Sequence, residues 1–226
     1  MMDDEDLPDE LRTPPEKRLV QTLISQRPPQ GSLFMVSLFL LFVVLITQLF
    51  WIDFWGFADK LPALHKNVLV QGEWWRIFTA TLIHSNLGHL LSNLYMLGIF
   101  SYFIYSYFGL AIYPILSFFM AGLVNLLCVY TYPPEVRLLG ASGLVYLLGG
   151  FWLTMYFFIQ RQYAWLQRSL RVLGMALMVF FPTSFEPTTS YRAHFFGFVA
   201  GIILGCLYFS DNYKSIQNKE VYSTQN

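Results

Sequence analysis

The chain has 226 residues, of which 55% are hydrophobic and only 12% are charged; an average soluble protein has roughly 25% charged residues. Basic and acidic residues number 14 each, so the formal net charge is zero and no broad basic surface is available to bind nucleic acid. Eleven charged residues lie in 1–31 and four in 211–226, which leaves few for the long stretch between them. This pattern predicts a multi-pass membrane protein and excludes disordered, collagen-like and disulfide-framework chains.

Six apolar stretches predict an all-α fold with six membrane-spanning helices. The first stretch, 31–52, contains no charged residue, and as a helix it would be about 33 Å long, enough to cross a hydrocarbon core of roughly 30 Å. The others are 87–107, 110–131, 142–160, 170–183 and 193–210. Residues 1–30 and 211–226 are then short mobile cytosolic tails on either side of a membrane domain at 31–210.

The segments between the spans predict the orientation of the chain. The loop 53–76 is rich in tryptophan, which favours the membrane interface, and Gly109 with Leu110 predicts a tight hairpin. With the N-terminus inside, the cytosolic segments hold nine basic residues and the outer loops five. Because basic residues favour the cytosolic side, both termini are expected in the cytosol. The acidic start does not resemble a targeting segment, so a bacterial inner membrane is the expected location.

Four polar residues stand out within the predicted spans: His89, Asn93, Ser142 and His194. Polar side chains inside a membrane are costly and need a reason to be there. The first two lie near the start of span two, Ser142 begins span four and His194 begins span six. Even-numbered spans all begin on the outer side, so the sequence predicts that these residues converge at one depth.

Ser142 lies in the sequence Gly140-Ala141-Ser142-Gly143. Taken alone, this motif is equally consistent with a helix N-cap among small packing residues. As a nucleophile, the serine would have an uncovered hydroxyl, and the first amide groups of span four would favour a nearby anion.

His194 begins a row of glycines at spacings of three, seven and eleven residues: Gly197, Gly201 and Gly205. These positions share one helix face, which predicts close packing against another helix, with glycine-containing span four as the expected partner. A lone interfacial histidine is the plain alternative. A serine hydroxyl needs a base to become a good nucleophile, and His194 is the histidine that begins a span opposite Ser142. No Asp or Glu lies in spans two, four or six, so a two-residue dyad is expected.

His89 and Asn93 are four residues apart and therefore share a helix face. With the backbone N–H of Ser142 they could stabilise the oxyanion of a tetrahedral intermediate. One alternative is a metal site of His84, His89 and His194, which lacks an inward carboxylate or an HExxH motif. Another is that His89 and Asn93 are simple interhelical hydrogen-bonding residues. No metal or other cofactor is expected.

Over residues 31–210, the ordered combination of these motifs resembles the rhomboid family of intramembrane serine proteases. The features that carry the resemblance are Trp75-Arg76, His84-x4-His89-x3-Asn93, Gly140-x-Ser142-Gly143 with Tyr146 one turn later, and Ala193-His194-x-x-Gly197 with its glycine row. One departure is Tyr191-Arg192 before Ala193, which is bulkier and more basic than the family usually has there.

The resemblance implies a six-helix rhomboid core that cleaves transmembrane segments near their outer end. It implies Ser142 as nucleophile, His194 as general base, and His89, Asn93 and the Ser142 amide as the oxyanion site. Tyr146 would pack on the catalytic imidazole, and Trp75-Arg76 would be structural. Residues expected to support the site are Gly140, Gly143, Gly197 and His84.

Two other functions remain open from the sequence. The first is a catalytically silent rhomboid-like scaffold that binds client transmembrane helices in the bilayer. The second, a transporter or channel, is disfavoured because the polar residues cluster at one face rather than crossing the membrane midplane. The sequence identifies neither the substrate nor the oligomeric state.

Overall fold

The computed structural model of the chain describes residues 17–29, 31–180 and 190–224. The long helices are α1 Ser32–Trp51, α2 Leu87–Leu110, α3 Ser117–Thr131, α4 Ser142–Ile159, α5 Trp165–Phe180 and α6 Tyr191–Gln217. Two strands, β1 Lys17–Gln21 and β2 Val221–Thr224, pair antiparallel. Shorter helical segments are Leu23–Ser25, Phe54–Gly56, Phe57–Lys60, Lys66–Val70, Arg76–Thr79, Ala80–Leu82 and Ala111–Leu116.

Within the described residues, four helical segments are long and apolar enough to cross a membrane: Ser32–Trp51, Leu87–Thr131, Ser142–Ile159 and Tyr191–Gln217. Three of them correspond to predicted spans one, four and six. Leu87–Thr131 is 45 residues long and contains predicted spans two and three. Its helix is interrupted at Gly109, where φ is 78°. Glycine adopts such a φ without steric cost, and the interruption lies where the sequence predicts a hairpin.

The predicted fifth span, 170–183, differs from the helix in the structure. Helix α5 begins at Trp165, five residues earlier, and its 16 residues end at Phe180; residues 181–183 lie outside the described residues. At 1.5 Å per residue the helix is about 24 Å long, which is shorter than a hydrocarbon core of roughly 30 Å. By length and composition, then, the described residues show an integral membrane protein with four apolar helical segments, and the count of six spans stays a prediction.

Glycines let α4 and α6 approach each other closely, as the sequence predicts. A Cβ atom at Gly197 would lie 2.3 Å from the carbonyl oxygen of Gly143, and one at Gly201 would lie 2.0 Å from that of Leu147. Real Cβ atoms essentially never approach a neighbour within 3.0 Å. The backbones of the two helices are therefore in direct contact along the glycine row, and no other residue type fits there without moving them apart.

The loop between α1 and α2 is organised by one buried arginine. Arg76 is only 4% exposed. Its guanidinium donates to the carbonyl oxygens of Asp59 and Pro62 and to the carboxylate of Glu73. The bond from Arg76 holds the pKa of Glu73 below its usual value. Several aromatic side chains of this loop are exposed, among them Trp55, Trp74 and Trp75.

The two ends of the chain are joined to each other and to the helices. Besides the β1–β2 pairing, the guanidinium Nη2 of Arg161 donates to both carboxylate oxygens of Glu220 at 2.7 Å. Leu23 and Ile24 are buried in the apolar core. Helix α6 continues to Gln217, seven residues beyond the predicted boundary at 210. The sequence predicts none of these contacts, and the division into tails and membrane domain stays a prediction.

Candidate active site

A polar cavity among the described residues has a volume of about 850 Å³. It lies where the first turns of α2, α4 and α6 meet the last turn of α5 and the loop between α3 and α4. The polar side chains that line it are Ser85, Asn86, His89, Ser92, Asn93, Tyr132, Arg137, Ser142, Tyr146, Ser190 and His194. The structure thus brings together the four polar residues that the sequence singles out.

The turn before Ser142 depends on Gly140. Its φ is 116°, and its N–H donates to Ala80 O at 2.8 Å. A Cβ at this position would lie 2.7 Å from the ring of His89, so only glycine lets that ring rest against the turn. Ser142 is the first residue of α4, and its backbone N–H therefore has no acceptor within the helix.

His84 forms a hydrogen bond with this turn and does not line the cavity. Its Nε2 accepts a hydrogen bond from Ala141 N–H at 3.2 Å, so the proton is on Nδ1, which lies 3.3 Å from the hydroxyl of Thr47. That hydroxyl in turn donates to Leu82 O at 3.0 Å. Burial, with a smaller contribution from His89, lowers the pKa of His84 to about 3, so the ring is neutral at physiological pH.

The structure does not assemble the alternative metal site of His84, His89 and His194. Both ring nitrogens of His84 already have hydrogen-bond partners. Across the part of the chain that the structure describes, no group of three His, Cys, Asp or Glu side chains is placed to hold a metal ion. His84 therefore serves to position the Ser142 turn.

His89 and Asn93 lie one above the other on the cavity side of α2. The N–H of His89 donates to Asn86 Oδ1 at 2.9 Å, which caps the helix, and His89 Nδ1 lies 3.2 Å from Ser85 Oγ. The other side of the ring faces Gly140. Asn93 Nδ2 donates to His89 O at 2.8 Å, and because an amide nitrogen carries two hydrogens, a second donor remains.

His194 is held by an aromatic stack. Its ring lies 4.0 Å from that of Tyr146, with 9° between the planes, as the resemblance implies. The hydroxyl of Tyr146 donates to Phe180 O at 3.3 Å. The imidazole is therefore oriented by packing on α4 and not, within the described residues, by a carboxylate.

Ser142 is the first residue of α4 and His194 lies in the first turn of α6. The backbones of the two helices touch close by, at Gly143 and Gly197. Both side chains line the same cavity. No hydrogen bond joins them among the described contacts. In enzymes without substrate such bonds are often long, and they shorten in the substrate complex.

Sequence reasoning missed several residues of the cavity wall. Tyr132 and Ser190 are joined by a hydrogen bond of 2.9 Å between their hydroxyls, and Arg137 lines the cavity beside them. These residues lie in loops without hydrophobic periodicity, so no spacing in the sequence relates them. The helix N-cap at Asn86 could be predicted, since Asn directly before an apolar run is a common helix start.

The Rhomboid domain family model matches residues 71–211, well over half of the chain. The chain belongs to the rhomboid family. It is 26% identical over 179 residues to a Bacillus subtilis (strain 168) protein described as "Putative rhomboid protease YdcA", an alignment that covers 74% of this chain and 86% of the relative. It is 29% identical over 150 residues to "RHOMBOID-like protein 5" of Arabidopsis thaliana, covering 65% of this chain. The match spans about half of the Arabidopsis protein, 48% of its length. A rhomboid domain with four long apolar helical segments is an integral membrane protein.

Proposed function

We propose that this rhomboid protein is an intramembrane serine endopeptidase that cleaves transmembrane segments of membrane-protein substrates by a Ser142–His194 dyad. One observation carries the proposal: the serine begins α4 and the histidine lies in the first turn of α6, these two helices are in direct backbone contact, and both side chains line the same cavity. The stacked Tyr146 gives the imidazole a fixed plane without a third catalytic residue. The reaction needs no cofactor or metal, and the substrates reach the site from the lipid bilayer.

In this mechanism Ser142 Oγ attacks the carbonyl carbon of the peptide bond while its proton passes to His194. The negative charge on the carbonyl oxygen is stabilised by the Ser142 backbone N–H and by His89 and Asn93. Collapse of the intermediate releases the amine, which takes the proton from His194 and leaves an ester on Ser142. A water molecule then attacks the ester by the same route, which releases the carboxylate product and restores the serine.

The proposal includes six spans with both termini in the cytosol and the cavity opening to the outer side, in a membrane such as the bacterial inner membrane. The β1–β2 pairing supports an even number of crossings, because it keeps residues 17–21 and 221–224 on one side of the membrane. In this arrangement α1, α2, α4 and α6 would supply four crossings, and α3 together with the helical segment Ala111–Leu116 before it would supply a fifth. Helix α5 would then be the sixth, with its short length accommodated by local thinning of the bilayer.

The experiment is cleavage of a single-span reporter by the purified protein in lipid vesicles. Ser142→Ala and His194→Ala should both reduce cleavage to background. Ser142→Ala should leave thermal unfolding unchanged, whereas His194→Ala also removes the stack on Tyr146 and should lower the unfolding free energy by about 0.5–1.5 kcal/mol. Ser92→Ala is the matched control, because Ser92 is a second serine on the same cavity wall. Normal turnover by Ser142→Ala would rule out the mechanism. Reporter binding without cleavage by the parent protein would favour the catalytically silent scaffold.

A further inference from the structure

The wall of the cavity carries one permanent charge. Within the described residues, Arg137 is the one lining side chain with a guanidinium, ammonium or carboxylate group; the others are histidines, neutral polar groups and apolar groups. A guanidinium stays protonated at all physiological pH values. A substrate in this cavity therefore lies close to a positively charged residue, with no negatively charged group among the described lining residues.

Arg137 is held in place by neutral partners. Its Nη2 donates to Ala58 O, and its Cζ lies 5.7 Å from the centre of the Phe50 ring. The next residue, Leu138, exchanges two backbone hydrogen bonds with Ala63, at 2.9 and 3.0 Å. These contacts fix the position of the guanidinium without neutralising its charge, and among the described contacts they use one of its five N–H groups.

A second cation, Arg192, contacts a residue of the same cavity wall. The Cζ of Arg192, two residues before His194, lies 4.7 Å from the centre of the Tyr132 ring, and its Nη1 donates to Thr131 O. Tyr132 itself lines the cavity. The described partners of Arg192 are again neutral, so its field adds to that of Arg137.

No described carboxylate pairs with either arginine. The ion pairs among the described residues are Arg76–Glu73 and Arg161–Glu220. Nearby, Glu135 is exposed and does not line the cavity. The carboxylate of Asp53 accepts from Ala58 N–H at 2.9 Å and stays beyond ion-pair distance of Arg137. Glu186 lies in 181–189, outside the described residues.

From this arrangement we propose that Arg137, assisted by Arg192, selects substrates that carry an Asp or Glu side chain close to the cleaved bond. The proposal rests on the proposed function, because it names the substrate class of the same cavity. A carboxylate would form a charge-assisted bond with the free guanidinium N–H groups, while a lysine at the same place would be repelled. Arg137 is five residues from Ser142, and an extended chain advances about 3.4 Å per residue. If the substrate is also extended, it covers the distance between Ser142 and Arg137 in at most about five residues, so the acidic residue is expected within roughly five residues of the cleaved bond.

An anionic lipid phosphate could use the same guanidinium. The acidic substrate is favoured because Arg137 lines the cavity that holds Ser142, where a substrate backbone must lie for cleavage. Binding of a lipid phosphate to Arg137 is therefore one outcome of the test.

The test uses reporters that differ only in having Asp, Asn or Lys at one position, scanned over the five residues on either side of the cleaved bond. Cleavage is measured in phosphatidylcholine vesicles with and without phosphatidylglycerol, for the parent chain, Arg137→Gln, Arg137→Glu and Arg192→Gln. Lys66→Glu is the control, since it reverses an exposed positive charge that does not line the cavity. Binding of the same reporters to Ser142→Ala is measured in parallel, so that recognition is read even if the chain does not cleave.

At one position or more, the parent should prefer Asp over Asn by about two- to fivefold in kcat/KM, the range expected for a solvent-accessible ion pair. Arg137→Glu should invert the order to favour Lys, Arg192→Gln should weaken the preference, and Lys66→Glu should leave it unchanged. Equal kcat/KM values of the folded parent chain for the three reporters would overturn the proposal. So would an effect of Arg137→Gln that is the same for all reporters and occurs only with phosphatidylglycerol, which would assign the site to lipid. Binding preference in Ser142→Ala without any cleavage by the parent would uphold this inference while refuting proteolysis.

Discussion

The contact between α4 and α6 predicts that one added methyl group at Gly197 will disable the site. A Cβ at this position would lie 2.3 Å from Gly143 O, whereas ordinary contacts begin at about 3.4 Å. Since the obstacle is backbone, the methyl group must separate the helices by roughly 1 Å, the difference between these two distances. Overpacking of this kind costs about 1–3 kcal/mol of unfolding free energy.

The same displacement moves His194 away from Ser142, because each lies within one turn of the contact. A misplacement of about 1 Å can cost on the order of 10²-fold in rate. We therefore expect Gly197→Ala to lower reporter cleavage about 100-fold, with a lower midpoint of thermal unfolding. Both quantities are measured on the protein in lipid vesicles.

Gly174→Ala is the matched control for this variant. Gly174 lies in α5, and a Cβ there would have no neighbour within 4 Å. Since alanine favours helix over glycine by up to about 1 kcal/mol, this change should leave cleavage intact and stability equal or higher. Full activity and full stability of Gly197→Ala would refute the argument from helix contact.

Three further predictions concern residues outside the dyad. His84→Leu leaves the buried Ala141 N–H without an acceptor, so it should lower the free energy of chemical unfolding by about 1–3 kcal/mol and reduce cleavage. An unchanged free energy of unfolding would contradict the role of His84 in positioning the turn. The pKa of Glu73 is lowered by Arg76, so its contribution to stability is complete above the ordinary value of 4.5 and is lost as the pH falls through the lowered pKa. Glu73→Gln should therefore flatten the acid side of the stability–pH curve, and an unchanged curve would contradict this. Glu220→Gln weakens the ion pair between the chain ends and should cost about 1 kcal/mol or more in unfolding, with cleavage retained at temperatures where the protein stays folded.

The parts of the fold that depend on local pattern could be predicted from the sequence. Uninterrupted apolar runs identify α1 and α4, and the glycine row of α6 predicts its close partner. The interruption of the helix at Gly109 follows from the same local reasoning. The His89–Asn93 spacing and the position of Ser142 at a helix start also place these residues on the cavity wall.

The parts that depend on distant contacts could not be predicted. The β1–β2 pair joins segments some 200 residues apart in the printed sequence, and neither strand has a distinctive alternation of its own. Likewise, nothing in the sequence relates Arg137 to the cavity, because its place is fixed by backbone bonds of Leu138 to a loop some 75 residues earlier. The start of α5 was predicted five residues late because Gln167 and Arg168 interrupt its hydropathy, although Arg168 is half-buried and donates to Phe157 O at 2.8 Å.

The central claim is that Ser142 is a nucleophile activated by His194. Its most direct test is reaction of the membrane-embedded protein with a fluorophosphonate probe, followed by mass spectrometric identification of the modified residue. The account predicts a single adduct on Ser142 that is lost in Ser142→Ala, strongly reduced in His194→Ala, and retained in Ser92→Ala. An adduct on another serine, or an unmodified Ser142 in protein shown to be folded, would contradict it.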